Sequence, residues 1–453
     1  MTDAVTSTTA DQPDSPELWA SLKRPVPAWF RDARFGIFIH WGPYSVPAWA
    51  EPTGALGAVP DDQWFAHNAY AEWYYNTIRI PGSPAARHHE EVYGGAPYDD
   101  FLDAWTASEF DPQDWAELFS RAGAEYVIPT TKHHDGVALW EAPGTGARNT
   151  VHRGPHRDLV SAIAEAVRAR GMRFGVYYSG GLDWSITNLP PHTVSAEVRG
   201  LRPVDAAYNT YAYLHVEDLV RRYAPDVLWN DIEWPDAGKR GGPYSLHNLF
   251  ERYYAAVPEG VVNDRWGNTH WDFQTSEYEA HRESESAEVW ENCRGIGFSF
   301  GYNQAEDEAQ SLSGYELAQH LTDVVSRGGR LLLNVGPTAA GLIPEVQRRA
   351  LEGLGRWMAT AGPVLRASTV VPPGEAGPGD TPWVRWLSIP GHLVAVTDER
   401  SGPVTLPPAS LGLDPDSARV ADGHGRVEVT DDQLHITRTG AAEGPSVVLI
   451  PRL

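Results

Sequence analysis

Cysteine is almost missing from this chain: Cys293 is the single one in 453 residues. It cannot form an internal disulfide, and no C-x-x-C pair or zinc-type cysteine and histidine spacing exists for it to join. The fold must therefore live on packing. Long apolar runs are also missing, since no segment approaches the ~18 uninterrupted apolar residues of a membrane-crossing helix. Basic side chains are scarce, 36 against 60 acidic ones, for a formal charge of -24. That balance repels phosphate backbones and anionic lipid surfaces, so neither nucleic acid nor a membrane is an expected partner. The opening MTDAVTSTTADQPDS has no basic leader and no apolar stretch of signal-peptide length, which gives the expectation of a cytoplasmic protein. Residues 1–15 offer almost nothing to bury against the entropy of ordering and are expected to be a disordered tail. No internal repeat or long low-complexity segment is present.

Aromatics, by contrast, are abundant, with 18 Trp and 19 Tyr. Flat amphipathic rings in such number suit either sugar-stacking walls or a large core. Short β-rich runs (FGIFIHWG, EYVIPTTKHHDG, RFGVYYSGG, DVLWND, GVVNDRW, RLLLNVGP) alternate with helix-compatible sequence, which argues for parallel strands joined by crossover helices. Between Asp158 and Gly171, a capping Asp and apolar Leu159, Ile163, Ala166 and Val167 on one face predict a helix. Ala212, Val216, Leu219 and Tyr223 predict another, and Val346, Ala350, Leu354 and Trp357 a third. Helical character is expected to stop near Gly362 and Pro363. Beyond it, the alternating WVRWLSI and HLVAVT and the run VVLI predict an antiparallel β-sandwich. The expected organisation is an α/β catalytic domain over residues 16–363, a (β/α)8-like TIM barrel, followed by a C-terminal β-sandwich domain over residues 364–453.

In such a barrel the chemistry gathers at the C-terminal strand ends. Here they deliver His40, His133 and His134, Tyr178, Asp231, Arg265 and Asn334. In VLWND, Val227, Trp229 and Asp231 share one face, so Trp229 and Asp231 point together towards the barrel interior or its mouth. Hydrolysis of a glycosidic bond needs a second carboxyl. Glu233, Glu277, Glu72 and Glu291 are the candidates; Glu233 sits on the same segment as Asp231, whereas Glu277 comes from another unit and can reach across. The rival chemistry is a metal at His133, His134, Asp135 and His40. Adjacent strand residues point oppositely and no His-x-His spacing exists, so no metal is assigned. The paired histidines suit hydrogen bonds to vicinal hydroxyls, and Arg265 can clamp an oxygen or a carboxylate.

The segments FGIFIHWGPYSVPAW, AEWYYN, YVIPTTKHHDGVALW, GVYYSGGLDW, PDVLWND, VVNDRWG and RGIGFSFGYN...LLLNVGPTAAGLIP, in order from about Trp29 to Met358, resemble the α-L-fucosidases, family 29 of the glycoside hydrolases. The resemblance implies a metal-free, cofactor-independent exo-hydrolase of α-L-fucosides that retains configuration by double displacement. It implies Asp231 as nucleophile and Glu277, twelve residues after Arg265, as general acid/base, with Glu291 another glutamate position once considered. His40, Glu72, Trp73, His133, His134, Tyr178 (or Tyr177 beside it), Trp229 and Arg265 match sugar-contacting positions. Phe38, Tyr70, Tyr278 and Phe300 look like the apolar cradle for the C5 methyl group. The loop Asp236–Tyr244 and the acidic EAHRESESAE carry no transferable motif and are expected to frame the leaving-group side. The implied partner is a fucoside, and barrels of this type often self-assemble. A related α-L-galactoside hydrolase and a catalytically silent fucose-binding protein are the competing readings.

Overall fold

The computed structural model describes residues 16–54, 57–280, 289–372, 379–400, 402–406, 413–421, 425–430, 433–439 and 443–453. The expected tail and most of the acidic stretch, Glu283 included, lie outside them. Eight strands build the largest sheet: β1 Phe35–Ile39, β2 Tyr126–Lys132, β3 Arg173–Ser179, β4 Val227–Asp231, β5 Val261–Val262, β6 Gln274–Glu277, β7 Trp290–Gly295 and β8 Gly329–Val335. All neighbouring pairs are parallel, in the order β5-β4-β3-β2-β1-β8-β7-β6, which curls into a TIM-like barrel.

Helices cross over between most of these strands, and their ends follow capping chemistry. Asp158 accepts from the Ser161 amide ahead of Leu159–Ala169, at 2.8 Å. Ser313 and Glu316 form a reciprocal capping box on Gly314–Ser326. Two connections depart from strict alternation: among the described residues no helix lies between β5 and β6 or between β6 and β7. No β-ladder joins β5 to β6 either. Side chains and one main-chain bond, from Asp272 N to Val262 O at 2.9 Å, span that seam instead. Asp272 accepts from the Val262 amide at 2.8 Å, and Asp264 accepts from the Thr275 amide at 3.1 Å and from its hydroxyl at 2.8 Å.

Strand pleating sorts the barrel into two apolar layers. Phe38, Ile128, Tyr177, Val227, Trp229, Cys293 and Leu332 fill the interior. Ile37, Val127, Val176, Tyr178, Leu228 and Leu331 face the surrounding helices. Glycine appears where the interior is tightest: a Cβ on Gly36 would lie 2.4 Å from the Tyr126 ring.

The last barrel helix, Glu345–Ala367, runs past the expected stop at Pro363. Proline costs a helix one hydrogen bond and also crowds the residue before it; here that residue is Gly362, which has no Cβ to strike. Ala361 and Leu365 on either side are buried in the core and hold the helix in place. The C-terminal domain is antiparallel. Strands Trp383–Ile389, His392–Thr397 and Ser446–Pro451 anchor one sheet, and Val404–Leu406, Gln433–Arg438 and Gly425–Thr430 form the other. Leu393, Ala395, Val448 and Ile450 meet Val404, Leu406, Leu434 and Ile436 between them. The opposite face of the larger sheet, with Leu387, Val394 and Val447, packs into the helix layer of the barrel. Tyr315 and Gln319 donate to Asp398 across this junction, each at 2.8 Å.

Candidate active site

Asp231 ends β4, and the two residues after it take left-handed backbone angles, Ile232 at φ 57 and Glu233 at φ 79. Such angles are strained for a β-branched residue. The chain therefore turns sharply away and leaves the Asp231 carboxylate at the barrel mouth. The Gly180-Gly181 pair after β3 makes room for this turn, since a Cβ on Gly181 would sit 2.0 Å from the Ile232 carbonyl oxygen. Asp231 Oδ1 accepts from Arg265 Nη1 and from the Ile232 amide, both at 3.0 Å, and Oδ2 accepts from the Tyr177 hydroxyl at 2.8 Å.

Arg265 follows β5, and its guanidinium lies over the Trp229 ring at 4.7 Å. Its Nε donates to Thr275 Oγ1 across the seam at 3.1 Å. The remaining arm, Nη2, donates to Glu277 Oε2 at 3.1 Å. One guanidinium thus spans two carboxylates from different strands. Glu277 Oε1 accepts from the Tyr70 hydroxyl at 3.0 Å.

The polar wall comes from β1, β2 and the segment before residue 75. His40 Nδ1 donates to Asn334 Oδ1 at 2.7 Å, because the Asn334 amide nitrogen is occupied by the Phe300 carbonyl. His134 Nδ1 donates to Ser179 Oγ at 2.6 Å, because that hydroxyl donates to Leu182. Both rings thereby keep Nε2 as an acceptor, the form a sugar hydroxyl can donate to. Burial pulls His40 down to about 4 and holds His133 and His134 well below the ordinary histidine value, so all three are neutral at pH 7. His133 Nδ1 is buried with no partner within the protein. Burial pushes the Glu72 carboxyl up to about 7, while its Oε2 accepts from the Gly301 amide at 2.7 Å.

Aromatic rings close the rest. Tyr177 stacks on Trp229 at 5.6 Å with Phe38 against both, forming the floor. Tyr70, Tyr278 and Phe300 contact one another within 6.3 Å on one side. Trp73 meets His134 edge-on at 5.1 Å. The cavity so enclosed measures about 1100 Å3. Phe38, His40, Tyr70, Glu72, Trp73, His133, His134, Trp229, Asp231, Arg265, Glu277, Tyr278 and Phe300 all line it.

Two expected sugar contacts stand elsewhere. Tyr178 faces the helix layer, where its hydroxyl meets His215 Nδ1 at 3.1 Å. The pleat decides this: Tyr177, paired in register with Trp229, is the inward residue and lines the cavity instead. Glu291 lies inside the barrel beneath the floor, its oxygens taken by Tyr126 Oη at 2.6 Å and Trp229 Nε1 at 2.9 Å. It supports Trp229 and does not line the cavity. Of the other candidates, Glu233 is at the mouth but tied to Lys239 at 2.6 Å and Arg202 at 2.9 Å. Lys239 is the part of the Asp236–Tyr244 loop that reaches this rim. Asp135 accepts from Tyr98 Oη and from the Val137 amide, closing its own turn. Among the described residues no three His, Cys, Asp or Glu are grouped to hold a metal. Sequence reasoning missed Trp64, Phe65 and the short helix Ser195–Gly200, which supply part of the rim.

A family model described as alpha-L-fucosidase matches residues 3–363. The chain belongs to the α-L-fucosidase family. It is thus a glycoside hydrolase. Tissue alpha-L-fucosidase of Homo sapiens is 35% identical over 364 residues, covering 77% of this chain and 71% of that protein. The alpha-fucosidase of Thermotoga maritima, solved in complex with fucose, is 43% identical with a TM-score of 0.82, covering 95% of this chain and 99% of that one. Another solved alpha-L-fucosidase reaches a TM-score of 0.86 at 44% identity, over 96% of this chain and 99% of its own. The two solved structures match across the C-terminal sheets as well as the barrel.

Proposed function

We propose that this protein is a retaining exo-α-L-fucosidase working by double displacement. The observation that carries the proposal is the Arg265 guanidinium joining Asp231 and Glu277, which gathers two carboxyls from different strands on one side chain at the cavity. Retaining glycosidases need their carboxyls about 5 to 5.5 Å apart, whereas inverting ones keep ~6.5 to 9.5 Å to admit a water. Asp231, oriented through both oxygens, attacks the anomeric carbon and forms an ester with it. Glu277 gives its proton to the departing oxygen and then takes one from the water that cleaves the ester. The floor of Phe38, Tyr177 and Trp229 closes the inner end, which suits a single terminal residue entering from the mouth. Neutral His40 and His134 accept from ring hydroxyls, and Tyr70, Tyr278 and Phe300 face the C5 methyl. The binding of fucose by the Thermotoga maritima relative supports this choice of sugar.

Proton NMR during hydrolysis of 4-nitrophenyl α-L-fucoside tests the stereochemistry. The α-anomer of L-fucose should appear first and the β-anomer only through mutarotation; initial release of the β-anomer would overturn the double displacement.

A further inference from the structure

We propose that Glu306, outside the cavity, is a positioning residue that fixes Phe300 and so sets discrimination between a methyl and a larger group at C5 of the sugar. The inference rests on the reading above that a fucosyl ring lies against Tyr70, Tyr278 and Phe300.

Phe300 sits on an irregular segment that leaves the end of β7, and an irregular buried backbone must find partners for each amide and carbonyl. Here the partners are side chains. Glu306 receives two adjacent amides, Phe298 N on Oε2 at 3.2 Å and Ser299 N on Oε1 at 2.9 Å. Glu72 receives Gly301 N from the cavity side, and Asn334 Nδ2 donates to the Phe300 carbonyl at 2.6 Å. Tyr278 Oη donates to the Phe298 carbonyl. Two carboxyls therefore grip the segment from opposite sides, with Phe300 between their attachment points.

The grip is built to fit. A Cβ on Gly297 would lie 2.0 Å from Glu306 Oε2, so only glycine admits the carboxyl there. The Glu306 amide donates to Asn303 O at 3.2 Å, and Asn303 is locked to Ala50 through N–H and C=O bonds of 3.1 Å each. Of the groups holding the segment, Glu72 and Tyr278 line the cavity and Asn334 orients His40. Glu306 does none of these things. Changing it acts on the Phe300 wall without removing any sugar-facing polar group.

Assayed above pH 8, where Glu306 is ionised and accepts through both oxygens, Glu306→Gln offers one acceptor to the two converging amides and turns an NH2 group towards a donor. Its kcat/KM on 4-nitrophenyl α-L-fucoside should fall ~10-fold, chiefly through KM, the scale of one unmatched buried amide. Hydrolysis of 4-nitrophenyl α-L-galactoside, which carries a hydroxymethyl at C5, should hold or rise, narrowing the selectivity ratio by ~10-fold. Glu306→Asp, which keeps both acceptors, should give a smaller narrowing. Calorimetric Kd values for L-fucose and L-galactose provide a readout free of turnover and should converge in the Gln variant. Equal losses on both substrates, or an unchanged ratio of Kd values in folded variants, would overturn this inference alone. A wild type that binds neither sugar would overturn it together with the proposed function.

Discussion

Tyr177 and Tyr178 are adjacent, both buried and both hydrogen-bonded, yet they face opposite sides of β3. The same substitution at each separates a group acting on the reaction from one acting on the fold. In Tyr177→Phe, Asp231 Oδ2 loses its 2.8 Å donor, and His134 Nε2, 3.8 Å away and without a proton, does not replace it. A hydrogen bond to a charged group is worth about 1.5 to 3 kcal/mol. If its loss falls wholly on the orientation of the attacking carboxylate, kcat/KM drops ~10- to 100-fold. Stability should change little, because the ring keeps its stacking on Trp229 and Asp231 Oδ1 keeps both donors. In Tyr178→Phe a neutral pair with His215 is lost, about 1 kcal/mol. That appears as a Tm lowered by ~2 °C with turnover within ~2-fold of wild type. Steady-state rates on 4-nitrophenyl α-L-fucoside and thermal melts of both variants decide the matter. The reverse pattern, or full activity in Tyr177→Phe, would refute the placement of Tyr177 beside the reacting carboxylate.

Arg265→Lys keeps a charge but loses the fork that holds two carboxyls at once, so kcat/KM should fall ~100-fold with the melting curve preserved; a loss under ~3-fold would show that bridging is dispensable. Glu291→Ala strands the Tyr126 hydroxyl and the Trp229 indole N–H in a dry interior and opens a cavity. Urea unfolding should report a loss of about 2 to 4 kcal/mol, and a change below ~1 kcal/mol would contradict its role as support for Trp229. Stability should peak near pH 6.5. Burial pushes Glu72 and Glu291 up to about 7 and Glu306 up to about 8, so the folded chain keeps protons an unfolded one with carboxyls at 4.5 has released, and stability is lost as pH rises towards 8. Burial pulls His40, His215 and His270 down to about 4 and His320 to about 3, so stability is lost as pH falls below 6.5. The histidines are the more numerous below 6.5 and win there; thermal melts that vary in one direction only from pH 5 to 8.5 would refute this account.

The barrel is legible because β1 to β4 and β8 are largely apolar runs with reactive residues at, or one step past, their ends. Strands β6 and β7 were not recognised, since QTSE and WENCRG lack an apolar alternation: one borders the seam and the other buries Glu291 and Asn292. Tyr178 was favoured over Tyr177 because two identical residues stand side by side and the motif does not say which faces inward. The parity was readable nonetheless, as Phe174, Val176 and Tyr178 share a face and Gly175 marks the crowded interior. Glu291 stands among the candidate carboxyls because sequence alone does not separate an acid that does chemistry from one that, as here, satisfies a buried phenol and indole. The rim helix Ser195–Gly200 is short and has no buried residue, so its sequence carries no periodic signal.

The gap in the ladder between β5 and β6 bears on how such a catalyst is tuned. Asp231 and Arg265 stand on one bank and Glu277 on the other, so no run of main-chain bonds dictates their spacing. Asp264, Thr275 and Asp272 do that work, through their side chains and one main-chain bond from Asp272 N to Val262 O at 2.9 Å. A single exchange at one of these three positions can widen or narrow the distance between attacking and proton-carrying groups while the seven intact strand pairings go on holding the barrel together.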